Sequence, residues 1–219
     1  MTEAPEQPAR ERMTMQTQGH PPRAKPQQGR SLQTYERLLN VAGELLGEVG
    51  FERISTNMIC ARAGMAPAAL YRYFEDKYAV LEALGERLMA RQNQVLEDWI
   101  QRHDAGGIAA LRGNLEELLR ETGRATGSEP GAVWILRALH ASPRLVHIRL
   151  ESHRKVTDRL TEAYARHLPQ MDRAKLWQRL RVTVEIGFAV DVMLQEEDRV
   201  SADITRRDTA RMLQADISG

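Results

Sequence analysis

The sequence predicts an all-α protein, and three observations carry that expectation. Apolar residues recur at spacings of three and four along most of the chain, the period of one helix face. Serine, proline and glycine stand where helices should begin and end. The single alternating run, Val182, Val184, Ile186 and Phe188, has helical flanks and no second strand to pair with.

Residues 1–30 fall outside the pattern. They hold Pro5, Pro8, Pro21, Pro22 and Pro26, several glutamines and almost no large aliphatic side chains. Such a segment buries too little apolar surface to offset its ordering entropy, so a disordered tail is expected.

Helical spacing starts at Ser31, a suitable N-cap. Leu32, Tyr35, Leu38, Leu39, Ala42, Leu45, Leu46 and Val49 share one face, Gly50 is the expected stop, and Phe51 and Ile54 return to the core. Ser55 caps a short helix through Ala63, with Ile59, Cys60 and Ala63 inward, and Gly64 ends it at a position suited to positive φ. Pro67 fits the first turn of a second short helix reaching about Phe74, because its missing N–H would lack a partner there anyway. Leu70 and Phe74 point inward by burial preference. Two short helices joined through a glycine turn make a helix-turn-helix, whose second helix enters the major groove of DNA.

A long helix follows from Asp76 to about His103, with Leu81, Leu84, Leu88, Val95, Leu96, Trp99 and Ile100 inward. Gly106 and Gly107 break the chain before a helix carrying Ile108, Leu111, Leu115, Leu118 and Leu119. Gly123, Gly127, Ser128, Pro130 and Gly131 mark a loop, and Val133 to Leu139 form a short apolar helix. Ser142 and Pro143 open another long helix, which Pro169 stops. The segment from Asp172 to Glu196 reads as a helix apolar on more than one side, buried against its own domain and against another subunit. A last helix spans about Ser201 to Leu213.

Composition narrows the function classes. Of 219 residues, 42% are hydrophobic and 28% charged, ordinary for a soluble globular protein. No run approaches the roughly 18 apolar residues of a membrane span, and no signal peptide is evident, so a cytoplasmic protein without membrane contact is expected. The lone cysteine, Cys60, excludes an internal disulfide framework and reads as a buried thiol. With a net charge of +1, contact with DNA must come from local placement of charge. Arg23, Lys25 and Arg30 suit a solvated linker or a basic arm reaching DNA.

Enzymatic signatures are missing. There is no glycine-rich phosphate loop and no cluster with metal-ligand spacing, so no cofactor, metal or catalytic residue is assigned. His147 and Glu151, four apart, are an incomplete ligand set. Glu185 and Asp191 read as ion-paired interface charges rather than a catalytic acid pair.

The run from Gly50 to Leu81 resembles the TetR-type family of repressors. The residues carrying the likeness are Gly50, Phe51, Ser55, Ile59, Cys60, Ala63, Gly64, Leu70, Tyr71, Tyr73, Phe74 and Lys77. Beyond some 50 residues the likeness is one of helical pattern and length only. It implies phosphate contacts from Thr56, Tyr71, Tyr73 and Lys77. The chain departs from the family at Ala66 and Ala69, where hydroxyl residues are usual. Pro67 and the small Ala68 and Ala69 let the helix approach the groove closely, with apolar contact to thymine methyls. Arg72 is the long polar side chain that reads a guanine edge or clamps a phosphate.

The expected architecture is therefore a disordered tail (1–30), a three-helix DNA-binding domain (31–77) and a helical ligand-binding and dimerisation domain (78–219). The expected partners are an operator DNA, a small and largely apolar effector, and a second copy docked through the last two helices. Candidate effector contacts are Trp99, Leu115, Leu119, Trp134, Arg137, His140 and Tyr164, since apolar walls with a few polar groups suit ligand sites. The alternatives are a small-molecule-binding protein or enzyme with a vestigial reader, and an architectural DNA binder without effector.

Overall fold

Helix α1 (Gly29–Arg53) buries Tyr35, Leu38, Leu39, Ala42, Leu45 and Leu46 on the face that its spacing predicts. In this computed structural model the described residues are Pro26 and 29–216, with side chains through 214; the tail's Arg23 and Lys25 lie outside them. Gly50 interrupts α1 with φ +74°, a conformation open to glycine at little steric cost. The indole of Trp134 lies over this break, 3.2 Å from where a Cβ would sit.

Two short helices follow, α2 (Thr56–Ala63) and α3 (Pro67–Tyr71). The Ser55 hydroxyl caps α2 by accepting from the Met58 amide at 3.3 Å, and Gly64 closes it in the left-handed region. Helix α3 ends at Tyr71, three residues before the predicted limit, because the amides of Tyr73 and Phe74 both turn back to the Leu70 carbonyl. The long α4 (Lys77–His103) matches its predicted span, its first turn capped by Asp76, whose carboxylate accepts from the Ala79 amide at 2.8 Å.

The predicted helix after Gly107 is divided. A 3₁₀ turn (Asp104–Gly106) leads into α5 (Gly107–Gly113), and α6 (Leu115–Gly127) starts beyond Asn114. The Asn114 carbonyl accepts from the Trp99 indole N–H at 3.0 Å, and its side-chain amide donates to Ala110. Gly123, expected in a loop, lies inside α6, where the Arg206 guanidinium rests 2.6 Å from the position of a missing Cβ. A side chain at this position would have to displace that guanidinium. Helices α7 (Ala132–Ala141), α8 (Val146–Ala165), α9 (Arg173–Glu196) and α10 (Ala202–Asp216) complete the chain. Ser142 to Leu145 form a turn, so α8 opens slightly later than expected.

The alternating run belongs to α9, and among the described residues all regular structure is helical. Leu176, Leu180, Thr183 and Asp191 face inward, whereas Val182, Ile186 and Met193 stay exposed. No helix among the described residues is long and apolar enough to cross a membrane.

Two apolar cores stack along α4. The first joins α1, α2 and α3 to Val80, Leu81, Leu84 and Leu88 of α4 and to Ile135, Leu136 and Leu139 of α7. Each fully buried leucine here contributes about 1.5–3 kcal/mol relative to exposure. This core continues across residue 77, so the reader is packed onto the helices that follow it. The second core gathers Leu96, Trp99, Ile100, Leu111, Leu115, Leu160, Tyr164, Leu176, Leu180 and Leu213. Helices α4 and α8 contribute buried residues to both, Ile148 to the first core and Leu160 and Tyr164 to the second from α8.

Candidate nucleic-acid interface and effector cavity

On the reader, Pro67, Ala68, Tyr71 and Arg72 are exposed, while Thr56, Ala69, Tyr73 and Lys77 are half-buried. Helix α3 has Ala66 at its N-cap, and no side chain caps its first amides. The Tyr71 and Thr56 hydroxyls are hydrogen-bonded at 3.1 Å, which ties α3 to the start of α2. Tyr71 is 42% exposed, so its phenol sits at the surface with Arg72.

Arg72 donates to the Tyr73 hydroxyl at 3.1 Å and lies over the Tyr73 ring. That hydroxyl also bonds Ser31 of α1 at 2.9 Å, and the ring meets Tyr35 edge-on. Tyr73 thus positions the arginine while being held by α1. Tyr35 stacks on Phe74, and burial pushes its phenol up to about 12. Lys77 donates to the Phe51 carbonyl at 3.2 Å and caps the Phe51 ring at 4.5 Å. It braces the chain beyond the Gly50 break, and an ammonium has further donors to offer a phosphate. Cys60 is buried, and desolvation raises its thiol above the usual range, which makes it a poor nucleophile.

Of the predicted effector contacts, Leu115 and Leu119 line a cavity of about 110 Å³ between α4, α6, α8, α9 and α10. The other five sit elsewhere. Trp99 and Tyr164 are fully buried core residues, and Trp134 covers Gly50. Arg137 stacks on Trp134 and pairs with Glu196 at 2.6 Å, while His140 is exposed. Large aromatic residues are good core formers, and composition alone does not separate a core wall from a cavity wall.

The cavity also holds polar residues that the spacing of apolar positions does not single out: Gln92, Asn93, Ser152, His153, Asp191 and Arg206. Spacing along α9 was the available signal, since Thr183, Val184, Gly187, Phe188, Asp191 and Leu194 recur on one helical face and all line the cavity. Among the described residues Asp191 forms no ion pair of the kind expected for it. Its Oδ2 accepts from Thr126 at 2.6 Å and from Gln92 at 3.4 Å. Glu185 is ion-paired within the chain, with Arg149, Arg181 and His153. Burial alone would raise its carboxyl, but His153 and Arg181 hold it down at about 2. His147 and Glu151 line an open cleft between α4 and α8, and no group of three metal-ligating side chains occurs among the described residues.

A partly buried charge cluster ties the reader's first helix to α4 and to the turn between α6 and α7. Arg87 of α4 bonds Glu129 in the turn between α6 and α7, and also Glu36 at 3.0 Å and Asn40 at 2.8 Å on α1. Arg91 adds a second contact to Glu129 at 2.7 Å.

Known proteins resemble this chain in its reader and in its fold. Residues 38–84 match the family described as bacterial regulatory proteins, tetR family. The transcriptional regulator UidR of Escherichia coli strain K12 is 25% identical over 182 residues, 81% of this chain and 85% of that protein. The class C tetracycline repressor of Escherichia coli is 39% identical over 54 residues, 25% of each chain. Among solved structures, the SmeT–triclosan complex superposes with a TM-score of 0.60 at 25% identity, covering 84% of this chain and 90% of that one.

Proposed function

We propose, for a chain that is a TetR-type DNA-binding transcriptional regulator, that it is a homodimeric repressor whose two readers are released from a near-palindromic operator when a small molecule fills the cavity. The observation that carries this reading is the course of α4. Its first residue is Lys77, beside the reader, and further along Gln92, Asn93 and Leu96 stand in the cavity wall. A ligand wedged between α4 and α9 acts on the rod that sets the reader's position.

Within the reader, Pro67, Ala68 and Ala69 approach the major groove, Arg72 reads a base, and Thr56, Tyr71, Tyr73 and Lys77 hold phosphates. One short recognition helix covers few base pairs, so a second reader about 34–36 Å away, one turn of DNA, supplies the remaining specificity. The dimer forms through the last two helices. In support, α9 exposes Val182, Ile186 and Met193, and α10 exposes Ile204 and Met212. Scattered exposed apolar side chains are ordinary, but a stripe at helical spacing is the mark of an association face. SmeT is known in complex with triclosan, and a comparable use of the cavity here makes the effector small and mostly apolar.

The test is a gel shift of the purified protein with DNA flanking its own gene, titrated with salt and nonspecific competitor. A retarded band that survives competitor supports the reading. Absence of any band at low salt contradicts it.

A further inference from the structure

One end of the cavity carries two polar groups without full satisfaction. Asp191 is 7% exposed, and while its Oδ2 is engaged by Thr126 and Gln92, its buried Oδ1 has no hydrogen-bond partner. Arg206 of α10 lines the same cavity, its guanidinium laid on Gly123 one turn before Thr126, and no ion pair among the described residues includes it. Leucine, valine and Phe188 side chains form most of the remaining wall.

A buried acceptor and a nearby cation at one end of a mostly apolar wall select among ligand classes. A carboxylate would meet Arg206 but set a second negative charge against Asp191. An ammonium would meet Asp191 and be repelled by Arg206. A hydrocarbon would leave Asp191 Oδ1 without a partner, a cost that a buried polar site converts into discrimination. A hydroxyl group donates one hydrogen bond and accepts another, and so satisfies both. Burial pushes the Asp191 carboxyl above the usual carboxylate range, against the pull of Thr126, Gln195 and Arg206, and an uncharged ligand adds nothing to that cost.

Size sets the second limit. An apolar protein cavity of about 150 Å³ accommodates benzene. The cavity here, about 110 Å³, is smaller than that, so it admits no more than a single ring, and that only as its walls give.

We propose that the cavity takes a phenol-type ligand, a single ring whose O–H donates to Asp191 Oδ1 and whose oxygen accepts from Arg206; this rests on reading the cavity as the effector site. Gln92, which contacts Asp191 from α4, then places the ligand's polar end within reach of the helix that carries the reader.

The experiment is calorimetric titration of the full chain with phenol, anisole and benzoate. The phenol is expected to bind about tenfold or more tightly than either the ether, which cannot donate, or the carboxylate. In Asp191→Ala the preference for phenol over ether falls to within about threefold, and Arg206→Gln weakens the phenol while leaving the fold unchanged by circular dichroism. Equal affinity for phenol and ether in the wild type, a preference for the carboxylate, or no heat with any probe overturns the proposal. The same preparations are run in the gel shift. A retarded band without phenol binding means that the ligand class is wrong and the regulator stands. Phenol binding without a band means that the regulator reading has failed.

Discussion

Gly43 and Gly131 meet backbone to backbone: a Cβ on Gly131 would stand 2.4 Å from the Gly43 carbonyl oxygen. A Cβ on Gly43 would stand 2.5 Å from the Pro130 carbonyl oxygen. The reader's first helix is therefore seated directly on the turn between α6 and α7, with no side chain between them.

Gly131→Ala tests that seat. Gly131 has φ +73°, so alanine adds conformational strain to a clash with backbone that cannot swing aside. The expected loss is about 2 kcal/mol, read as a lower urea midpoint. Gly64→Ala is the control: φ is +64° but nothing lies within 4 Å, so only strain of about 1 kcal/mol is expected.

The Arg87 cluster makes a larger demand. Glu129 has a fully buried side chain, and Arg87 is its buried partner. Arg87→Ala leaves that carboxylate with only Arg91 and is expected to cost about 3–5 kcal/mol, the usual result of removing one member of a buried pair. Chemical denaturation measures it, and Glu129→Gln in the Arg87→Ala background should recover part of the loss.

Arg72 and Lys77 separate reading from holding. Arg72 is exposed, so Arg72→Ala should leave the melting temperature unchanged and relax preference at one base position by about 1–3 kcal/mol. Lys77→Ala should weaken binding to all sequences alike and lower the salt slope by about one. It should also lower the melting temperature, because Lys77 braces the Phe51 carbonyl. Uniform loss in both variants would make Arg72 a phosphate clamp.

The apolar stripe on α9 predicts an oligomeric phenotype. Ile186→Glu places a charge where Val182, Ile186 and Met193 are exposed in the isolated chain. Light scattering should then report a monomer that remains helical, with operator binding lost.

Much of this was legible in the sequence, for identifiable reasons. Ser55, Gly64, Pro67 and Asp76 act locally, through caps and fixed dihedrals, and their helices begin or end where those residues say. The two-sided character of α9 followed from its composition. The cavity was not legible, because it depends on which helices meet. Trp99 and Tyr164 fill space that their size suggested they would merely line, whereas Asp191 and Arg206 stand on different helices and become neighbours only through tertiary packing. Gly123 lies inside α6 rather than in a loop, beside Arg206, a neighbour far along the chain that local sequence does not reveal.

The most direct measurement is a hydroxyl-radical footprint of the wild-type protein on the DNA flanking its gene. A dimer with paired readers protects two symmetric half-sites on one face of the duplex, with centres about 10–10.5 base pairs apart or a multiple of that spacing. A single unpaired protected site, or uniform protection without boundaries, would contradict it.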